Sequence, residues 1–203
     1  MGISDRKERE KLEMRSLIKK AALEVFIKEG YERASIRTIA DNIEYSPATI
    51  YLYYKDKSEL FYDVQKDACE VLHTYFLQKI TARQTWKRLE QMCRAYIQFS
   101  IEYPDIYDLI FILNEPMDAV KDESWENALS AFQVLTDCVN ACMEENLLRF
   151  KDGMVAALTT WAMGHGLISL RIRRRFEITQ LPEDKVNALI DSIVSEYLRL
   201  IKN

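Results

Sequence analysis

Apolar residues recur at helical spacing along almost the whole of this 203-residue chain. One broad helical face in the segment SLIKKAALEVFIKEG consists of Leu17, Ile18, Ala21, Ala22, Val25 and Phe26. Gly30 follows at the position where glycine commonly ends a helix. The chain has only 5 glycines and 4 prolines, far fewer than the turns of a β-sandwich or barrel would need. The sequence therefore predicts an all-α fold.

Charge is unevenly distributed between the two parts of the chain. Residues 1–60 hold 12 Lys+Arg and 11 Asp+Glu, a net of +1, whereas the whole chain has a net charge of −4. A near-neutral N-terminal part beside an acidic remainder permits local contact with phosphate groups but does not demonstrate it.

Several classes of protein are excluded by simple patterns. The N-terminus MGISDRKERE is too charged for a signal peptide, and no apolar run approaches the ~18–20 residues of a membrane span. The four cysteines lack metal-like CxxC spacing. No nucleophile elbow, phosphate-binding glycine loop or HExxH motif is present. We expect a cytoplasmic protein that is not an enzyme and has no metal, cofactor or membrane partner.

Two short helices near the N-terminus form a predicted helix-turn-helix. Ser35 caps a helix over 35–43, and Ser46 caps another over 46–54, with Pro47 at its first helical position. Glu44 and Tyr45 join them, and a longer helix precedes them. The second helix of such a motif lies in the major groove of DNA. Double-stranded DNA is therefore the predicted partner.

The segment SPATIYLYYKDK divides by helical geometry. Ile50 and Tyr54 are four residues apart and are expected to face the core. Tyr51 is then expected to meet a thymine methyl or a phosphate, and Tyr53 a phosphate. The alternative is that both tyrosines are ordinary helix surface. Small Ala48 lets the helix approach the bases closely.

This N-terminal part resembles the DNA-binding domain of the TetR/AcrR family of bacterial regulators over residues 12–62. The shared signals are the A-x-x-x-F helix, Gly30-Tyr31, Ser35-Ile36-Arg37, Ile39-Ala40, Ser46, Thr49-Ile50-Tyr51 and Lys57-x-Glu59-Leu60. The resemblance implies a DNA-binding set of Arg37, Ser46, Pro47, Ala48, Thr49, Tyr51, Tyr53 and Lys57. Within it, Arg37 contacts a base or phosphate, Pro47, Ala48 and Tyr51 contact bases, and Thr49, Tyr53 and Lys57 contact phosphates. Glu44 departs from the family, which places glycine there, and a left-handed backbone would cost it roughly 1–2 kcal/mol.

The rest of the chain predicts longer helices. Their expected spans are about 57–80, 85–103, 105–113, 121–148, 154–174 and 182–201, with Thr85 as a cap and a break at 114–116. We therefore expect an N-terminal three-helix helix-turn-helix domain over 1–56 and a larger helical effector-binding and dimerisation domain over 57–203. The apolar stripe of the last helix exceeds what one neighbour needs to cover it, so Ile190 and Val194 are predicted to face a second copy.

The segments WAMGHGLISL and YPDIYDLIF are similar to one effector-domain subgroup of the same family, marked by a tryptophan and a His-Gly pair. This resemblance implies a ligand-binding body whose last two helices pair across a two-fold axis. The large aromatics suggest an apolar pocket for an unknown small molecule. Its predicted lining is Tyr96, Phe99, Tyr103, Phe111, Trp161 and His165.

Other polar groups have two interpretations each. His165 either lines the pocket or packs against Trp161. Cys138 and Cys142 share a helix face, either as buried small hydrophobes or as a redox or metal switch. The arginine run over 171–175 either binds an anionic effector or complements its helix C-terminus.

The function predicted from these patterns is a homodimeric transcriptional repressor that a small molecule releases from a palindromic operator. Two alternatives remain open: a related DNA binder with a role in chromosome organisation or division, and a helical small-molecule carrier that has lost DNA binding.

Overall fold

The computed structural model describes residues 3–113 and 126–203 of the chain. Within them lie nine α-helices and one short 3-10 helix, joined by turns. They are α1 (Ile3–Glu29), α2 (Ile36–Asn42), α3 (Pro47–Tyr51), α4 (Lys57–Lys79), α5 (Thr85–Glu102), α6 (Pro104–Phe111), α7 (Glu126–Glu144), α8 (Gly153–Ile172), the 3-10 helix (Arg175–Thr179) and α9 (Glu183–Ile201). The predicted all-α class is confirmed. The predicted break at 114–116 and the predicted helix start at 121 lie outside the described residues.

Side-chain caps fix where the short N-terminal helices begin. The Ser35 hydroxyl accepts a hydrogen bond from the Thr38 backbone N–H at 3.0 Å. The Ser46 hydroxyl accepts one from the Thr49 N–H at 3.3 Å, and Pro47 follows it as the first residue of α3. These bonds satisfy N–H groups that a helix start leaves without an intrahelical partner. Both predicted caps are confirmed.

Helix α3 ends at Tyr51, three residues before its predicted end. Beyond that point the backbone tightens, because Leu52 N–H bonds to the Thr49 carbonyl at 3.2 Å and Tyr53 N–H to the Ile50 carbonyl at 2.9 Å. Such i→i+3 bonds are usual in the last turn of a helix. The helical part of the predicted DNA-contacting segment is therefore only five residues long.

Thr85 does not cap α5, so that prediction is wrong. Gln84 occupies the N-cap position without a side-chain bond, and Thr85 is the first helical residue. The Thr85 hydroxyl instead donates to the Glu145 carboxylate. Asp152 does cap α8, by accepting from the Val155 N–H at 2.8 Å.

The chain divides into two compact units. One contains the described residues of Met1–Glu70 and Asp105–Ala128, and the other contains Val71–Pro104 and Leu129–Asn203. Helix α4 contributes residues to both units, and the core of the first unit includes Leu109 from α6. The predicted boundary between residues 56 and 57 separates a DNA-binding domain from an effector-binding and dimerisation domain, and it stays a prediction.

The second unit is built around α5, which packs against α8 and α9. Helices α8 and α9 run antiparallel, because Thr160 bonds to Tyr197 at 2.9 Å while Arg171, later in α8, bonds to Asn187, earlier in α9. The buried stripe of α9 is Val186, Ile190, Val194, Leu198 and Ile201. It is covered within the unit.

The prediction that Ile190 and Val194 face a second copy is therefore wrong. Their exposed fractions are only 2% and 1%, because helices of the same chain cover this side of α9. A charge at either position would disturb the core of the unit, so substitutions there cannot test dimerisation.

Candidate nucleic-acid interface and effector region

Helix α3 has one buried face and one exposed face. Ile50 is fully buried and Tyr54 is 1% exposed, both in the core that α1, α2 and α4 share. Their predicted inward orientation is confirmed. Tyr51, by contrast, is 55% exposed, and Ser46 and Ala48 are also exposed. DNA contacts are predicted for these three exposed residues, and those contacts stay predictions.

Arg37, Pro47 and Thr49 belong to the same predicted base- and phosphate-contacting surface. The Arg37 side chain is exposed on α2, and its guanidinium lies 4.0 Å from the Asp41 carboxylate. An exposed pair of this kind contributes only ~0–1 kcal/mol, so a phosphate can replace Asp41 at little cost. Pro47 and Thr49 are half-buried, and the Thr49 hydroxyl lies 3.0 Å from that of Ser46.

Tyr53 and Lys57 are tied into the fold more closely than the sequence suggested. Tyr53 is half-buried and packs against the core of the first unit. The Lys57 ammonium donates to the backbone carbonyls of Tyr31 at 2.7 Å and Ala34 at 3.0 Å, and it lies 4.2 Å from the Tyr31 ring centroid. Lys57 thus joins the start of α4 to the loop between α1 and α2. Its predicted phosphate contact is untested.

We expect Lys57→Ala to lower the free energy of unfolding by about 1–2 kcal/mol, because the backbone carbonyls that Lys57 bonds to lose a charged donor. Lys55→Ala is the matched control, since Lys55 is an exposed lysine two residues earlier, and it should change stability by less than about 0.5 kcal/mol. Chemical denaturation of both variants measures the difference. Equal stabilities would mean that the Lys57 ammonium makes no net contribution to the fold.

Glu44 takes the left-handed backbone conformation, with φ 59°. The sequence raised this possibility because the resembled family has glycine at the position. The Cβ of a left-handed residue crowds the following carbonyl, which makes the conformation costly for a residue such as glutamate and easy for glycine. The turn between α2 and α3 is therefore strained.

Replacing Glu44 by glycine is expected to raise the free energy of unfolding by about 1 kcal/mol, because the Cβ conflict disappears. Glu44→Ala is the control, since it removes the same charge but keeps the Cβ. Denaturant titration of the wild type, Glu44→Gly and Glu44→Ala separates the effect of losing the charge from the effect of losing the Cβ. A gain of equal size for alanine would trace the effect to charge and contradict the strain.

Leu52 was not among the residues predicted to matter. It directly follows α3 and is 80% exposed, although leucine is more often buried. The exposure of Leu52 could have been predicted from the sequence. Ile50 and Tyr54 define the buried side of the segment, and helical spacing places Leu52 on a different side.

Three of the predicted effector residues come together in the second unit. The Trp161 indole N–H donates to the Tyr96 hydroxyl at 3.0 Å, and His165 Nδ1 lies 3.5 Å from the same oxygen. Gly164 permits this approach, because a Cβ there would lie 3.0 Å from the Tyr96 ring. Burial lowers the pKa of His165, so the ring is neutral at pH 7. A neutral imidazole can donate one hydrogen bond and accept another.

The other three predicted effector residues do not belong to this cluster. Phe99 and Tyr103 stack with ring centroids 5.3 Å apart, in a cluster with Tyr75. Phe111 belongs to the first unit, where its ring lies 4.8 Å from that of Tyr107. The second unit alone thus holds five of the six predicted residues, in two clusters.

An open groove of about 520 Å³, which the sequence did not predict, lies elsewhere in the second unit. Its walls come from α4, α5 and α9: Tyr75, Lys79, Gln91, Arg94, Ala95, Ile97, Gln98, Ile101, Asn187, Ile190, Asp191 and Val194. Arg94 pairs with Asp191 between α5 and α9. The groove exists because these helices pack together, which local periodicity does not reveal.

The two cysteines are buried, as small hydrophobes would be, and both interpretations of the arginine run stay predictions. Cys138 and Cys142 are almost fully buried, and burial raises the pKa of Cys142 to about 11, so the thiol keeps its proton. Among the described residues, no three His, Cys, Asp or Glu side chains are grouped to hold a metal. Arg171 bonds to Glu183 and Asn187, and Arg174 pairs with Glu177.

Both the N-terminal and the C-terminal part of the chain match known protein families. Residues 18–64 match the family model described as bacterial regulatory proteins, tetR family. Residues 89–197 match the model described as the tetracyclin repressor-like C-terminal domain. The Trp/His-Gly subgroup suggested by the sequence stays a prediction. No curated protein matches the chain.

Solved structures share the fold at low sequence identity. A tetR-family regulatory protein from Rhodococcus RHA1 is 20% identical, with a TM-score of 0.70, over 92% of this chain and 96% of that one. A TetR family transcription regulator from Marinobacter aquaeolei VT8 is 16% identical, with a TM-score of 0.73, over 98% and 99%. The fatty acid degradation regulator FadR from Bacillus halodurans is 13% identical, with a TM-score of 0.71, over 92% and 93%.

Proposed function

Because the chain belongs to the tetR family of bacterial regulatory proteins, we propose that it is a cytoplasmic, homodimeric repressor of transcription. It binds a palindromic operator through α3, and a small molecule bound in the second unit releases it. The observation that carries this proposal is that α3 has one face buried in the core and one face exposed. Ile50 and Tyr54 hold the helix in the core, while Tyr51 and Ala48 remain exposed.

The exposed residues suit the reading of base edges. An α-helix fits the major groove, and the residues near its N-terminus approach the bases most closely. Ala48 is small enough to let the backbone approach. Tyr51 offers a ring for a thymine methyl and a hydroxyl for a phosphate. Arg37 on α2 supplies a charge beside them.

The apolar surface of α8 supports a dimer. The sequence predicted no membrane span, yet by length and composition alone α8 could form one, and only 33% of its apolar window is buried in the subunit. Its buried face packs as core, with Ala156, Thr160 and Gly164 among its members. The large apolar residues that it leaves exposed are Met154, Val155, Leu158, Trp161 and Leu170.

An exposed apolar surface of this kind marks an interaction site, and a second copy can cover it through a two-fold, self-complementary interface. Such a dimer presents two α3 helices about 34–36 Å apart, matched to successive major grooves of a palindrome. An effector that favours a different separation weakens DNA binding by the coupling free energy between the two sites.

For the effector, the cluster of Tyr96, Trp161 and His165 is the favoured site. It joins aromatic surface to a neutral imidazole and a hydroxyl, the combination of apolar walls and few polar groups typical of small-molecule sites. We expect an aromatic or otherwise apolar ligand that carries a hydrogen-bonding group.

Selection from a random duplex pool, followed by a reporter assay, tests the proposal. The wild-type protein should enrich a palindrome, and that palindrome placed in a promoter should repress the reporter until an effector is added. Enrichment without any change in transcription would favour a role in chromosome organisation or division. Failure to bind duplex DNA while small molecules still bind would favour a carrier.

A further inference from the structure

A polar cluster behind α3 holds the tyrosine that follows it. The Tyr54 hydroxyl donates to Asp63 Oδ2 at 2.7 Å, and Arg15 Nη2 donates to the same oxygen at 2.8 Å. The Arg15 guanidinium also lies 4.6 Å from the Tyr54 ring centroid. Lys19 lies 3.8 Å from the other Asp63 oxygen. The cluster thus joins α1, α4 and the residues directly after α3 within the first unit.

The charge states in this cluster keep its bonds intact. Burial raises the pKa of Asp63, but the hydrogen bonds from Arg15 and Tyr54 and the charge of Lys19 outweigh burial, so the net pKa lies below its usual value. Burial and the bond to Asp63 raise the pKa of Tyr54. Asp63 is therefore an ionised acceptor and Tyr54 a protonated donor at neutral pH.

The orientation of α3 depends on very few side chains. Ile50 is the one residue of this five-residue helix that is buried. Tyr54, three residues after the helix ends, is the next fully buried side chain, and Tyr53 before it is only half-buried. Apolar contact alone allows a short helix to turn about its axis, whereas a hydrogen bond has a preferred direction. The Tyr54–Asp63 bond supplies this direction, and Arg15 holds Asp63 in place from α1.

We propose that Asp63 is a positioning residue for DNA recognition, which acts through the Tyr54 hydroxyl to fix the angle at which α3 presents Tyr51 and Ala48. Asp63 itself does not contact DNA. The inference rests on the proposed function, in which α3 reads base edges. Loss of the Tyr54–Asp63 bond leaves α3 folded but free to turn about its axis. Only a fraction of the molecules then holds α3 at the angle that specific contacts need, and the apparent affinity is reduced by that fraction.

Tyr54→Phe tests the inference directly, because it removes the hydroxyl and keeps the ring in the core. The readout is the ratio of affinities for two duplexes at one salt concentration: the palindrome selected by the wild-type protein and a scrambled duplex of the same composition. We expect Tyr54→Phe to lower affinity for the palindrome roughly 5–10-fold, the range that loss of one hydrogen bond supports. Affinity for the scrambled duplex should stay unchanged, so the ratio falls.

Tyr31→Phe is the matched control. Tyr31 lies in the same core, and its hydroxyl bonds to Ser58 Oγ on α4 at 2.7 Å and not to Asp63. This variant loses a comparable bond and a comparable amount of stability, but the affinity ratio should match that of the wild type. All variants are compared at a temperature at which circular dichroism shows them fully folded. Equal falls for Tyr31→Phe and Tyr54→Phe would overturn the inference, since general loosening of the core would then explain both.

A double-variant cycle with Asp63→Asn adds a second test. If the hydroxyl acts through the carboxylate, the double variant Tyr54→Phe/Asp63→Asn should lose no more of the ratio than the more severe single variant. Additive losses, or a wild-type ratio in Tyr54→Phe, would overturn the role of Asp63 while leaving DNA recognition by α3 in place. If the wild-type protein selects no palindrome, both the proposed function and this inference fail.

Discussion

Replacing Leu158 by arginine is expected to convert the proposed dimer into monomers and to weaken operator binding roughly 10²–10⁴-fold, because two linked half-site contacts become independent. Leu158 is 45% exposed on the apolar surface of α8, so the subunit itself can accept the substitution. In the dimer the same position would bury an unpaired charge, which is strongly unfavourable.

Leu77→Arg is the control for this experiment. Leu77 is 59% exposed on α4, and the same change there should leave both dimerisation and DNA binding intact. Sedimentation measures the oligomeric state, and titration of an operator duplex measures affinity. A Leu158→Arg protein that still sediments as a dimer would place the interface on a surface other than α8.

Tyr51→Ala should produce the second large effect, a loss of specific affinity with non-specific binding nearly intact. Each base-edge contact carries ~1–3 kcal/mol of discrimination, and a dimer loses one such contact in each half-site. Because Tyr51 is exposed in the free protein, stability should change by less than about 0.5 kcal/mol. Binding to operator and scrambled duplexes across a salt series separates specific affinity from non-specific affinity.

Tyr53→Phe provides the contrasting variant. It removes only a hydroxyl, and the ring keeps its packing against the core of the first unit. If that hydroxyl meets a phosphate, operator and scrambled duplexes should weaken equally. The salt dependence should remain the same, since no charge is removed. A change of sequence preference in Tyr53→Phe but not in Tyr51→Ala would mean that a different side of α3 meets the bases.

The parts of the fold that follow from local chemistry could be predicted from the sequence. Ser35 and Ser46 cap their helices through residues three positions away, and the inward orientation of Ile50 and Tyr54 follows from helical spacing alone. The strain at Glu44 could be anticipated from the family resemblance, because the backbone of the turn decides which residue suits it.

The parts that depend on distant contacts could not be predicted in this way. The Lys57 ammonium meets carbonyls 23 and 26 residues earlier, and Asp63 meets Arg15 48 residues earlier. On α9, the apolar stripe predicted an exposed interface, but Ile190 and Val194 are covered by the same chain. A stripe shows that a face is apolar without showing whether the same chain or a second copy covers it.

The effector region shows the same limit. Aromatic residues at helical spacing indicated an apolar body, but spacing does not show which side chains meet. Tyr96, Trp161 and His165 converge because Gly164 lets α8 approach α5. Phe111 was grouped with them by its aromatic character, yet it lies in the first unit.

A series of operators with altered spacing between half-sites tests the central claim, that a dimer presents two α3 helices to successive major grooves. Insertion of about 5 bp places the second half-site on the opposite side of the duplex, because one helical turn is about 10–10.5 bp. We predict that this insertion reduces affinity of the wild-type dimer to that for a single half-site, and that the original spacing gives the tightest binding, with two chains per duplex. Affinity that is independent of spacing would contradict a rigid two-helix reading of the operator.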